Sequence, residues 1–115
     1  MKSAYPGLTI MGGRADKVPG CTVPVNNGDS FELFGGNIKL TCYVTPCHTV
    51  GSTNYYLEAA GCVDGTQHET KVINEYTILS NLNRCVFTGD TVFIGGCGLF
   101  MEGDAAQMLA AMDVI

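Results

Sequence analysis

The sequence predicts an α+β fold that is mostly β-strand, with one helix at the C-terminal end. Two observations support this prediction. Apolar and polar residues alternate on both sides of a glycine turn within residues 31–44, which is the period of half-buried strands. The last stretch, EGDAAQMLAAMDVI, has its apolar residues at helical spacing instead. It also offers Asp104 as an N-cap, with Gln107 as the capping-box partner three residues later.

The other elements follow one another along the chain, separated by turn signals. We expect a short strand over residues 8–11, the two strands of a β-hairpin in SFELFGGNIKLTCYVTP, another strand in TNYYLEAAG and a short one over residues 85–87. Pro46 ends the second hairpin strand because proline has no amide proton to donate to a neighbouring strand. Residues 61–83 show no clean period, and residues 66–82 are interpreted as a loop that contains a strand or a short helix.

The composition indicates one folded domain with an acidic balance. The chain has 115 residues, a formal net charge of −5, 46% hydrophobic residues and 15% charged residues, so we expect a packed core rather than disorder. The six basic residues are scattered, which argues against nucleic acid and anionic membranes as partners. No apolar run approaches the ~20 residues of a membrane span, and the first residues lack the apolar core of a secretory signal. We expect a cytoplasmic protein, with the mitochondrion as the other candidate compartment.

The cysteines allow either a disulfide framework or a set of reduced thiols. An even number in a short chain is compatible with disulfides, but the chain has no CxxC pair and no secretory signal. Cys42 and Cys85 lie in apolar, strand-like stretches, where a thiol behaves as a small apolar group. We therefore expect reduced thiols at the six positions, which are Cys21, Cys42, Cys47, Cys62, Cys85 and Cys97.

A sheet that packs against only one helix leaves an apolar face without a partner in the chain. Each face of a sheet has to bury its apolar side chains against another layer. Burying such a face stabilises association by about 25 cal/mol per Å². We therefore expect a homodimer or a larger oligomer.

Two polar residues follow predicted strand ends and are candidates for chemistry. His48 lies in TPCHT, just after the second hairpin strand, and Asp90 lies in FTGDT, just after another strand. Loops at strand ends often carry ligands because the sheet fixes their position. From the residues alone His48 is a metal ligand, a catalytic base or an ordinary turn residue, and Asp90 is a ligand or the cap of a turn.

The motifs taken together resemble a known enzyme family. TPCHTVGSTNYYL and VFTGDTVFIGGCGLFMEGDAAQM resemble segments of the hydroxyacylglutathione hydrolases (glyoxalase II) of the metallo-β-lactamase superfamily. The resemblance covers most of the chain except residues 61–83, which are interpreted as an insertion. It implies that residues 1–115 form a single truncated domain, a partial metallo-β-lactamase-like αββα sandwich.

The resemblance also implies site residues. In the family the histidine of TPCHT binds one metal of a binuclear zinc or iron pair and the aspartate of FTGDT bridges both metals, which implies His48 and Asp90 as ligands. Phe100 corresponds to an aromatic residue that contacts glutathione. Leu99 stands where the family has a basic residue, and Met101 where it has a tyrosine. The family's T-H-x-H-x-D-H motif and its later GHEYT motif do not occur in the 115 residues.

Two function classes follow from this resemblance. The first is a metal-dependent thioester hydrolase that converts S-D-lactoylglutathione to D-lactate and glutathione, expected to be inactive as this isolated chain because most metal ligands are absent. The alternative is a non-catalytic structural or interaction module that retains His48 and Asp90 as relics. A partner chain that carries the missing histidine motif would complete the site, whereas a second copy of this chain would not.

Overall fold

The computed structural model describes the backbone of residues 4–60, 69–73, 76–80 and 83–115, and side chains in the first and last of these ranges. The described residues form strands and one helix, which confirms the α+β class. The strands are β1 (Met11–Gly13), β2 (Val23–Val25), β3 (Ser30–Leu33), β4 (Ile38–Val44), β5 (Thr53–Ala59), β6 (Glu69–Ile73), β7 (Tyr76–Ser80) and β8 (Arg84–Phe87). A 3-10 turn (Arg14–Asp16) follows β1, and the helix is α1 (Ala105–Met112).

The central element is a four-stranded antiparallel sheet with the order β3-β4-β5-β8. The predicted hairpin forms its first two strands, with Phe31 opposite Leu40. β5 then pairs along the whole of β4, and β8 pairs with the other edge of β5. Because β4 and β8 are both antiparallel to β5, they run parallel to each other and end at the same edge of the sheet.

Two smaller strand pairs accompany this sheet. β6 and β7 form an antiparallel pair within the stretch of unclear period, and the rest of residues 61–83 lies largely outside the described residues. β1 and β2 pair in parallel, with Met11 opposite Val23. The prediction of a strand over residues 8–11 was therefore wrong in its position. The strand begins at Met11 because its pairing partner is Val23–Val25, a stretch that contains Pro24 and was not predicted as a strand.

The core lies on one face of the central sheet. Three residues are fully or almost fully buried there, Val25, Leu40 and Cys42. Tyr55 and Leu57, which lie on one face of β5, pack against them. The alternation in the sequence therefore marks the buried face correctly.

The helix makes a second, smaller cluster. Met108 and Ala111 of α1 are buried with Cys47, which lies just after β4. The predicted capping box is present, because an Asp104 Oδ1 accepts from the Gln107 amide at 2.9 Å and the Gln107 Oε1 accepts from the Asp104 amide at 3.0 Å. The helix thus begins at the predicted residue and packs on the loop that carries His48. It is the one α-helix of the described residues and, at 8 residues, is too short to cross a membrane.

The described cysteines are free thiols, as predicted, and they differ in exposure. Cys42 and Cys47 are buried, whereas Cys85 and Cys97 are exposed. Cys62 lies outside the described residues. Burial is the main cause that raises the pKa of both the Cys42 and the Cys47 thiol. Nearby negative charge raises the pKa further, from Asp29 at Cys42.

These environments predict the order in which the thiols react. Because the thiolate is the nucleophile, an aromatic disulfide reagent at about pH 8, just below the ordinary thiol pKa, should modify Cys85 and Cys97 in the folded chain. Cys42 and Cys47 should react only after denaturant is added. Peptide mapping by mass spectrometry reads out each position, and modification of Cys47 as fast as Cys97 in the folded chain would contradict the described packing.

Candidate metal site

The site lies where β4 and β8 end. His48 is in the loop of residues 45–52 that joins β4 to β5, and Asp90 lies three residues beyond the end of β8. Since the two strands run parallel on either side of β5, their C-terminal ends bring these loops to one edge of the sheet. The sheet order therefore explains why two residues 42 positions apart meet.

The two side chains are in direct contact. The His48 Nε2 lies 3.3 Å from the Asp90 Oδ2. The other ring nitrogen, Nδ1, lies 2.9 Å from the backbone carbonyl oxygen of Leu99. A carbonyl oxygen can only accept a hydrogen bond, so Nδ1 carries the proton and donates it. In the neutral imidazole this leaves Nε2 with a lone pair that faces the carboxylate.

This arrangement favours a cation between the two groups. A neutral imidazole lone pair and a carboxylate oxygen are both acceptors, and two acceptors this close repel each other unless a proton or a metal ion lies between them. Imidazole nitrogen and carboxylate oxygen are both ligands of zinc and iron. The residues present therefore fit a metal ion as two of its ligands.

The site is open on one side. The His48 side chain is 22% exposed and the Asp90 side chain 58% exposed, so an ion or a substrate can reach both from solvent. Within residues 4–60 and 83–115, no third histidine, cysteine or acidic side chain joins them to form a metal-binding group. The described residues thus supply two candidate ligands.

A buried hydrogen-bond chain joins the two loops behind the site. The Thr45 hydroxyl lies 3.1 Å from the hydroxyl of Thr91, the residue after Asp90. The side-chain amide of Asn54, in β5, donates to the Thr45 hydroxyl at 2.9 Å. All three residues are buried, so water cannot replace these bonds, and the two loops are held at a fixed separation.

Gly98 allows a third segment to lie against both side chains. Its amide donates to the Asp90 carbonyl at 2.8 Å. A Cβ at this position would overlap the Asp90 carbonyl oxygen and would lie 3.0 Å from the His48 Nδ1. The glycine therefore permits the close approach that brings the Leu99 carbonyl to His48.

The remaining predicted residues lie beside the site, on its exposed side. Leu99, Phe100 and Met101 are all exposed, and the Leu99 side chain is 78% exposed although its carbonyl holds His48. The structure thus brings together His48 and Asp90, while Phe100 makes no described contact with either. Sequence reasoning did not identify Thr45, Thr91 or the Leu99 carbonyl. The one sequence feature that points to the two threonines is their position, since Thr45 lies three residues before His48 and Thr91 directly follows Asp90.

The curated proteins to which the chain is similar include several hydroxyacylglutathione hydrolases. No protein-family model matches the chain. The chain is 40% identical over 114 residues to a cytoplasmic hydroxyacylglutathione hydrolase of Arabidopsis thaliana, a match that covers 99% of the chain and 36% of that protein. It is 35% identical over 108 residues to the mitochondrial hydroxyacylglutathione hydrolase of Saccharomyces cerevisiae, covering 94% of the chain and 30% of that protein. The chain spans about a third of the length of these curated relatives.

The buried chain of hydroxyls predicts a stability effect. Thr45→Val keeps the shape of the side chain but removes the oxygen that Asn54 and Thr91 use, so it should lower the free energy of unfolding by about 1–3 kcal/mol. Thr41→Val, also in or next to β4, removes a hydroxyl that has no described side-chain bond and serves as the matched control. Urea unfolding followed by circular dichroism measures both. Equal midpoints for the two variants would show that the chain of hydroxyls does not hold the loops.

Proposed function

The chain belongs to the hydroxyacylglutathione hydrolase family, and on that premise we propose that it carries part of the metal centre of a thioester hydrolase. The proposed substrate is a hydroxyacyl thioester of glutathione, S-D-lactoylglutathione, and the proposed products are D-lactate and glutathione. The observation that carries the proposal is the 3.3 Å contact between the His48 Nε2 and the Asp90 Oδ2, with the Leu99 carbonyl on the opposite ring nitrogen.

The distance between the two side chains suits a shared ion. Two ligand atoms bound at about 2.0–2.2 Å to one tetrahedral ion lie about 3.3–3.6 Å apart. The partner of the second ring nitrogen is also typical, because metal-binding histidines usually donate their other N–H to a carbonyl or a carboxylate. We propose zinc or iron as the metal, since both accept imidazole and carboxylate ligands.

Each residue has a proposed part in the chemistry. A metal ion in such a site polarises a thioester carbonyl and acidifies water. His48 would bind the ion through its Nε2 lone pair, and Asp90 would bind it through a carboxylate oxygen, with a second oxygen available to another ion. Phe100 offers an exposed aromatic face to the substrate beside them.

The substrate side differs from the family pattern at two positions. Leu99 replaces a basic residue, and a charge-assisted hydrogen bond to a glutathione carboxylate is worth about 1.5–3 kcal/mol. Met101 replaces a tyrosine and so lacks its hydroxyl. We therefore propose that glutathione binds more weakly at these positions than in the family pattern.

We also propose how the chain fits into a larger fold. Residues 1–115 would form part of one metallo-β-lactamase-like αββα sandwich domain, with residues 61–83 as an insertion. The four-stranded sheet with α1 packed near the ligand loop supports this proposal. The relatives are named as cytoplasmic and mitochondrial proteins, and we propose one of these two compartments for this chain.

The non-catalytic interaction module is the second candidate, and one observation favours it. Many large apolar side chains of the described residues are exposed, among them Phe34, Ile94 and Leu109. Burying exposed apolar side chains against another chain would remove their apolar surface from water, which is favourable. We propose that the chain associates with itself as a homodimer or larger oligomer, whether or not it binds metal.

Metal titration tests the proposed site. Isothermal titration with zinc should show binding to the chain that His48→Ala and Asp90→Asn each weaken at least about tenfold, which is ~1.4 kcal/mol. His68→Ala and Asp113→Asn are the matched controls and should bind as the unsubstituted chain does. Unchanged zinc binding in His48→Ala would overturn the site.

With two ligands we expect no turnover of S-D-lactoylglutathione, and metal-dependent turnover by the unsubstituted chain would refute the interaction module.

Self-association has a separate test. Size-exclusion chromatography with light scattering should give a mass of at least twice the 12.2 kDa of one chain at micromolar concentration. The mass should persist at high salt, because apolar contacts are not screened. A mass of 12.2 kDa at every concentration would contradict the proposed oligomer.

A further inference from the structure

The loop that carries His48 is held by two carboxylates from distant parts of the chain. The Gly51 amide donates to the Asp16 Oδ1 at 2.7 Å, across 35 positions. The preceding amide, that of Val50, donates to the Glu102 Oε2 at 2.7 Å, across 52 positions. Two consecutive amides of one loop thus bind acidic side chains from two different segments. Bonds to a charged acceptor are stronger than bonds between neutral groups.

Asp16 uses both of its carboxylate oxygens on this loop. Its Oδ2 accepts from the hydroxyl of Thr49, the residue after His48, at 2.7 Å. The approach is close, because a Cβ at Gly51 would lie 2.6 Å from the Asp16 Oδ1. Asp16 itself lies in the 3-10 turn after β1, outside the loop that it holds.

The segment with Glu102 holds the loop from another side. The Glu102 amide donates to the Cys47 carbonyl at 3.3 Å. The Leu99 carbonyl, three residues earlier, accepts from the His48 ring. Residues 99–102 therefore bind the residue before His48, His48 itself and Val50, while Asp16 binds the residues on either side of Val50.

We propose that Asp16 and Glu102 are positioning residues for His48. By fixing the loop from two segments, they keep Nδ1 on the Leu99 carbonyl and Nε2 toward Asp90. Neither joins His48 and Asp90 in a metal-binding group of the described residues, and each carboxylate accepts from a loop amide instead. This positioning role rests on the proposed metal site. The contacts of Asp16 and Glu102 with the loop are present in the metal-free chain, and their effect on His48 can be tested in that chain.

The His48 tautomer is the direct readout. Long-range ¹H–¹⁵N spectra of ¹⁵N-histidine-labelled, metal-free protein, recorded over a range of pH, show for each ring nitrogen whether it carries a proton. His68→Gln removes the only other histidine signal. The chain with this background substitution should show a proton on the His48 Nδ1, because the Leu99 carbonyl can only accept a hydrogen bond.

Variants then separate positioning from general stability. Asp16→Ala and Glu102→Ala should each lower the share of the Nδ1–H tautomer at least twofold. Asp16→Asn and Glu102→Gln keep an acceptor oxygen for the loop amide and should restore most of it. Asp113→Ala, at the end of α1, is the control and should leave the share of the Nδ1–H tautomer unchanged. Thr49→Val removes the hydroxyl that contacts both Asp16 and Ser52 but leaves the Gly51 amide bond to Asp16, so it gives a milder variant if Asp16→Ala fails to fold.

The outcomes test the positioning role of Asp16 and Glu102 separately from the proposed metal site. An unchanged Nδ1–H tautomer in the folded alanine variants, or in Thr49→Val where Asp16→Ala does not fold, would overturn the positioning role. A second titration uses cobalt, whose absorption reports its ligands, and should show at least tenfold weaker binding in the alanine variants than in Asp113→Ala. If the unsubstituted chain binds no cobalt, the metal site fails, while the tautomer result still decides the role of Asp16 and Glu102.

Discussion

The buried hydrogen bond between Thr45 and Thr91 is the constraint on which the site depends. The sheet order alone brings the ends of β4 and β8 to one edge, but it leaves their loops free to diverge. The Thr45–Thr91 bond, with Asn54 behind it, ties all three strands together at that edge. Because the three residues are buried, separating the loops would leave polar groups without partners, at a cost that exposed contacts do not carry.

The site on top of this bond is built from backbone as much as from side chains. The Leu99 carbonyl orients His48, and Gly98 makes room for that carbonyl. The carboxylates of Asp16 and Glu102 accept from backbone amides of the His48 loop. The imidazole is thereby fixed while one side of the site stays open to solvent. This combination keeps the imidazole and the carboxylate in place while an ion or a small molecule can still reach both from solvent.

The sequence predicted those features that depend on local pattern. The alternation in β3 and β4 and the capping box of α1 are local, and both were correct. β2 was missed because Pro24 argues against a strand and its pairing with β1 is a tertiary contact. His48 and Asp90 were found through motifs. The Leu99 carbonyl could not be found, because any residue type has one, and Asp16 and Glu102 look like ordinary solvated acids until the chain is folded.

We propose that His48 and Asp90 are held so that they share one cation through the His48 Nε2. The most direct measurement is the scalar coupling between ¹¹³Cd and the ¹⁵N-labelled ring nitrogens in the cadmium-loaded chain. A coupling to the His48 Nε2 that weakens or disappears in Asp90→Asn, with none to Nδ1, is the result we predict. A coupling to Nδ1, or cadmium that binds without coupling to either His48 nitrogen, would contradict the account.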